Sequence, residues 1–182
     1  MSRKLIASIA LAAAALAVTT RTAQAQGKAV ELTAGVLGFE SISCSGCSSL
    51  TTITTGGAYV AAGFYSNPGL AFEPSLATSY ASSSGSSVTT VRLGLGVPIY
   101  FAKDWGRSGW YLTPAVSWQS YSCTGCQSEN QFAAGAALGV KVPLNANGAL
   151  RIQASYEYGF SNSDVESSSM VGIALGLSVF VK

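Results

Sequence analysis

The chain has 182 residues; 48% are apolar, only 10% are charged, its formal charge is +2, and it contains no histidine. That length suits one domain, and the charged fraction lies far below the roughly one quarter typical of soluble proteins. Nucleic-acid binding is excluded by the want of a basic surface, and histidine-based catalysis by the missing imidazole.

Residues 1–25 read as a secretory leader. Arg3 and Lys4 precede the apolar run "LIASIALAAAALAV", and the leader ends at Ala23-Gln24-Ala25, an A-x-A cleavage signal. The run is shorter than the roughly 18–20 residues that cross a bilayer as a helix. Cleavage removes Arg3, Lys4 and Arg21, so the ten basic residues become seven against eight acidic ones. The barrel domain is therefore expected over 26–182, in an oxidising compartment.

From there the chain alternates in steps of two. In "AVELTAGVLGF", Val30, Leu32, Ala34 and Val36 share one face, with Glu31, Thr33 and Gly35 on the other. Next comes "TTITTGGAYVAAGFY", a strand whose facing is ambiguous because Gly56 and Gly57 permit a slip of register. "LAFEPSLATSY" and "WYLTPAVSWQSY" match each other, with Phe72, Leu76 and Tyr80 corresponding to Trp110, Val116 and Trp118. Each carries a proline, Pro74 or Pro114, where a bulge or a local bend is expected.

Between those two lies "VRLGLGVPIYF", with Val91, Leu93, Leu95, Val97, Ile99 and Phe101 opposite Arg92, Gly94, Gly96 and Pro98. "FAAGAALGVKVPL" sets Phe132, Leu138, Val140 and Val142 against Gly135, Gly139 and Lys141. "LRIQASYEYGF" sets Leu150, Ile152, Tyr156, Tyr158 and Phe160 against Arg151, Gln153, Ser155 and Glu157. "VGIALGLSVFV" closes with Val171, Ile173, Leu175, Leu177, Val179 and Val181 together. A period of two over such lengths means strand.

The expected fold is all-β: an eight-stranded antiparallel up-and-down transmembrane β-barrel. Tight-turn sequences ("SNPG", "KDWGRSG", "NANG") alternate with polar, serine-rich loops ("SCSGCSSL", "SSSGSS", "CTGCQSEN", "NSDVESS"). Glu31, Glu73, Arg92, Lys141, Arg151 and Glu157 share the non-apolar face and are expected to pair as lumen charges. Phe72, Phe101, Trp110, Trp118, Tyr158 and Phe160 are expected as a lipid-facing aromatic girdle. A soluble barrel would instead turn its apolar stripe inward, and would fold without detergent. Termini and short turns are expected in the periplasm. The acidic outer rim (Glu40, Glu129, Asp164, Glu166) would lie outside, either as solvated loop charges or bridged to lipopolysaccharide by divalent cations.

Signal, strand count, short turns and a final apolar strand together resemble the OmpA/OmpX-like family of small outer-membrane β-barrel proteins. The resemblance implies a monomer in the bacterial outer membrane, with outer-membrane lipids and lipopolysaccharide around it and the barrel-assembly machinery as partner during insertion. Members usually finish on an aromatic residue; this chain finishes Phe180-Val181-Lys182. Enzymes built on similar barrels use a histidine, so no enzymatic activity is expected, and no cofactor. The expected role is structural or surface-interacting, with a small porin-like channel for ions or small solutes as the alternative.

Two C-x-x-C pairs, Cys44 with Cys47 and Cys123 with Cys126, fall in the first and third outer loops. The simplest arrangement is one disulfide per loop, each worth about 2 kcal/mol on the chain-entropy estimate. An interloop pairing closes roughly 80 residues and gains about 4–5 kcal/mol on that estimate. A four-thiolate zinc site or a redox pair are further alternatives.

Overall fold

A computed structural model describes residues 30–44, 50–55, 59–67, 70–83, 86–101, 108–123, 128–161 and 166–181. The expected leader (1–25) lies outside the described residues. The strands are β1 (Val30–Cys44), β2 (Leu50–Thr55), β3 (Tyr59–Asn67), β4 (Leu70–Ser83), β5 (Ser86–Gly96), β6 (Ile99–Tyr100), β7 (Gly109–Cys123), β8 (Glu129–Asn145), β9 (Gly148–Gly159) and β10 (Ser168–Val181). All pairings are antiparallel between sequence neighbours, and β10 pairs with β1 from Val30↔Val181 to Cys44↔Ser168, which closes the sheet. β2 with β3, and β5 with β6, are successive pieces of single staves. The ten segments thus form an eight-stranded barrel, as the alternation predicts.

Closure removes every sheet edge except where a stave is broken, and leaves two surfaces of opposite character. Outside, Leu93, Val116, Leu138, Ile173 and Leu177 are all exposed. Inside, Glu31, Glu73, Lys141 and Arg151 are buried to 5% exposure or less. Val30 breaks the pattern, being buried although its parity points outward.

The bulge expected as one outcome at each of two prolines is not found. Pro74 and Pro114 do not bulge: Pro74↔Leu95 and Pro114↔Ala136 sit in unbroken register. The cost of Pro74 appears instead as a skipped stretch of ladder. β3 and β4 pair at Ala61↔Ser75 and again at Phe64↔Phe72 with the same register and nothing between. Proline supplies no N–H, so the ladder loses a bond while the alternation survives. The interruption that does occur is at Val97-Pro98, where β5 ends and β6 begins, bridged by Val97 N–H to Pro114 O and Ala71 N–H to Pro98 O, both 3.0 Å.

The bulge that matters is in β1. Its register against β10 shifts between Gly35 and Leu37, so Val36 and Leu37 both face outward, each 46% exposed. Before it, odd-numbered residues point inward; after it, even-numbered ones do. Against the second stave, β1 pairs at Ala34↔Val60 below the bulge and at Leu37↔Thr55 above it. The glycine pair expected to loosen this strand's register, Gly56 and Gly57, lies outside the described residues. The ambiguous facing of that strand resolves below it: Tyr59 and Tyr65 point into the lumen and hydrogen-bond there.

Candidate functional site

Inside the barrel the polar side chains stack in two levels, separated by a cavity. The lower level is built around Lys141, which β8 carries on its inward parity three steps after Gly135. Its ammonium donates to Glu31 of β1, to Tyr100 OH at 2.6 Å and to Tyr65 OH at 3.0 Å, so all three of its protons have an oxygen. Neither Lys141 nor Glu31 exposes any side-chain surface. Tyr65 OH also donates to Glu31. Rings enclose the cation: Tyr100 at 4.6 Å from its centroid, with Tyr65, Tyr111 and Phe180 each at 5.7 Å. An ammonium over aromatic faces gains cation–π attraction, and more so when desolvated.

Arg151 of β9 makes the second pair. Its two terminal nitrogens grip Glu73 of β4 at 2.5 and 2.9 Å, while Nε donates to Tyr111 OH at 2.7 Å and Gln153 Oε1 at 3.1 Å. Tyr59 OH donates to Glu73 as well, at 3.3 Å. This two-point geometry suits a guanidinium and a carboxylate, and it leaves neither group in want of a partner. The Tyr111 ring packs against the wall at Gly139, where a Cβ would run into the ring's Cε1 at 2.7 Å. Glycine at that point lets the tyrosine reach Arg151.

Nearer the loops stands Arg92 of β5. Its Nη1 lies 3.3 Å from Glu40 and 3.8 Å from Glu157, and Nη2 donates to Met170 Sδ at 2.8 Å. Glu157 also accepts from Ser117 at 3.0 Å and Gln119 at 3.4 Å. Gln131 ties the β9–β10 connection to the wall, donating to the carbonyls of Glu166 (3.0 Å) and Phe160 (3.3 Å) and accepting from Ser168 (2.8 Å). A cavity of about 150 Å³ separates Arg92 from the Arg151–Glu73 pair.

The six lumen charges expected from the sequence all face inward, in three clusters. The expected assignment of Glu40 to the outer rim is corrected: it is an interior residue, because the β1 bulge flips its parity. The adjacent apolar pair Val36-Leu37 is the sequence signal that marks the flip. Missed too were the lumen tyrosines 65, 100 and 111; Tyr100 continues the inward parity of Arg92, Gly94, Gly96 and Pro98, and Tyr111 follows outward Trp110.

Of the expected girdle, Phe72, Phe101, Trp110, Tyr158 and Phe160 are outward and exposed, and Tyr158 meets Phe160 edge-on at 5.6 Å. Trp118 is only partly exposed, flanked in register by Leu93 and Phe132. The cysteine expectations lie at the limit of what is described: Cys44 ends β1 and Cys123 ends β7, while Cys47 and Cys126 lie outside the described residues.

A closed barrel of this size, apolar outside and charged within, has the fold of the small eight-stranded outer-membrane proteins. Solved structures sharing it include Neisserial surface protein A, with TM-score 0.66 and 16% identity over 84% of this chain and 96% of that one. The N-terminal β-barrel domain of Pseudomonas aeruginosa OprF aligns with TM-score 0.54 and 13% identity, over 84% and 97% of the two chains. Ail, the attachment invasion locus protein of Yersinia pestis, aligns with TM-score 0.53 and 13% identity, over 85% and 99%. No family model matches the chain, and no characterised protein matches it in sequence.

Proposed function

We propose that the chain is an integral outer-membrane protein whose barrel is a closed scaffold, holding polar loops at the cell surface for structural or surface-interaction work. The carrying observation is the inverted polarity: leucines and valines exposed around the wall, with lysine, arginine and glutamate paired inside. In water that arrangement wastes the hydrophobic effect; in a bilayer it is the low-energy one.

The lumen reads as plugged rather than conducting. Lys141, Glu31 and three tyrosines fill the lower level, and each charge there has its partners in place, so water gains nothing by entering. The short turns and termini are assigned to the periplasm and the polar loops to the outside, with lipid and lipopolysaccharide as surroundings and the barrel-assembly machinery acting during insertion. One disulfide in each of the first and third loops, Cys44–Cys47 and Cys123–Cys126, would stiffen the surface that a partner meets. We read the protein as noncatalytic.

Folding the mature chain into lipid vesicles tests this on one sample. The expected outcome is heat-modifiable gel mobility with no steady large conductance across a planar bilayer. A stable open current would favour the porin-like alternative. Spontaneous folding to a soluble monomer without detergent would overturn the membrane reading altogether.

A further inference from the structure

The middle of the barrel is hollow because the staves there turn small side chains inward. Ala77, Gly94, Ala115, Ala137, Gly172 and Ala174 line a cavity of about 150 Å³. Its floor is the Arg151–Glu73 pair, whose ions satisfy each other. Its roof is Arg92, held between Glu40 and Glu157. Two serines stand on opposite walls: Ser75 on β4 and Ser155 on β9, the third and seventh of the eight staves. Each leans over a glycine of the next stave. A Cβ at Gly94 would come within 2.5 Å of Ser75 Oγ, and one at Gly172 within 2.9 Å of Ser155 Oγ. Neither hydroxyl has a hydrogen-bond partner among the described residues, and neither is sealed off as the Thr113 hydroxyl is. Gln153 Oε1 accepts from Tyr111 and Arg151, which leaves the amide nitrogen of Gln153 for the cavity.

A cavity of about this volume admits benzene when its lining is wholly apolar, and hence about six non-hydrogen atoms. Here hydroxyls and a carboxamide alternate with alanine methyl groups, so the occupant that matches the wall has polar edges and C–H faces. Water meets the hydroxyls but gains nothing from the methyl groups. A solute that reproduces its hydrogen bonds and covers the methyl groups displaces it favourably. We propose that the cavity is a binding site for a small neutral polyol of about glycerol's size, hydrogen-bonded to Ser75, Ser155 and Gln153. The floor ions are paired and the roof sets two carboxylates against one guanidinium, so an anion is turned away and a neutral solute is admitted. Entry is from the mouth, past Arg92, whose contacts with Glu40 and Glu157 are longer, at 3.3 and 3.8 Å, than those of the floor. Below the floor, Lys141 and its tyrosines close the path, so the site is a blind pocket that captures rather than conducts.

The test uses the folded chain in lipid nanodiscs, with isotopically labelled alanine methyl groups and glycerol titrated in at fixed pH. The resonances of Ala77, Ala115, Ala137 and Ala174 are expected to shift saturably and to show NOEs to glycerol protons, while those of the outward Ala134 and Ala154 stay still. Ser75→Ala combined with Ser155→Ala keeps the space and removes the hydroxyls, and should raise the dissociation constant about tenfold or more. Ala137→Leu fills the cavity and should abolish the response in a barrel whose heat-modifiable mobility is unchanged. Shifts that climb without saturating, or NOEs to water alone, would overturn the proposal. So would equal binding of n-propanol, tighter binding of serinol (the amine that replaces the middle hydroxyl), or full affinity in the double serine variant.

Discussion

Lys141 is the costliest side chain to place in this barrel and the one most completely provided for. Its cation is compensated by one carboxylate, two phenol oxygens and four rings, drawn from β1, β3, β6, β7 and β10. Removing the cation alone leaves Glu31 ionised and buried. Lys141→Met is accordingly expected to cost about 3–5 kcal/mol in urea unfolding followed by tryptophan fluorescence in vesicles. The double change Glu31→Gln with Lys141→Met should recover much of that, since neither half of the pair then remains charged. Gly139→Ala works on the same cluster from behind. Its methyl group displaces the Tyr111 ring from Arg151, for an expected loss of about 1–3 kcal/mol in the same assay, the usual range for overpacking.

At the scale of the strand, alternation carries most of the information. It places Arg92, Lys141, Arg151 and Glu157 inside because β5, β8 and β9 keep strict parity around those residues. It fails for Glu40 because one surplus residue in β1 reverses the facing of everything after it, and a pattern of period two has no means of counting past that point. The prolines mislead for a related reason: they remove a donor, which weakens a ladder, but they need not insert a residue. The tyrosine plug was legible by parity but not by chemistry, because tyrosine suits both a girdle and a lumen. Parity also predicts which positions resist charge. Leu138, 49% exposed midway along β8, faces acyl chains on the proposed reading, and Leu138→Arg is expected to cost about 2–4 kcal/mol of folding stability in vesicles. At Phe132, close to the start of the same strand, the same substitution should cost about 0–1 kcal/mol, the value near an interface.

Taken whole, the molecule joins the first and last of its described strands. β1 and β10 pair along their full lengths, and Thr33 of the first meets Ser178 of the last at 2.8 Å inside the seam. A closed wall of this kind leaves no spare edge along the described seam. The proposed loop disulfides are decided by mass: peptides from the unreduced protein should show Cys44 joined to Cys47 and Cys123 to Cys126, and a cross-link between the two loops would replace that assignment.

The surplus residue of β1 has a consequence for how the wall tolerates changes in length. Most deletions within a stave rotate every later side chain by half a turn, sending ions into oil and grease into the channel. Excising Val36 does the reverse: it irons out the kink, keeps Phe39 outside and Glu40 inside, and lets Gly35 run straight on to Leu37. The shortened chain should still assemble and keep its heat-modifiable mobility, whereas loss of Leu93 from the unkinked β5 should not. The first strand carries one residue of slack.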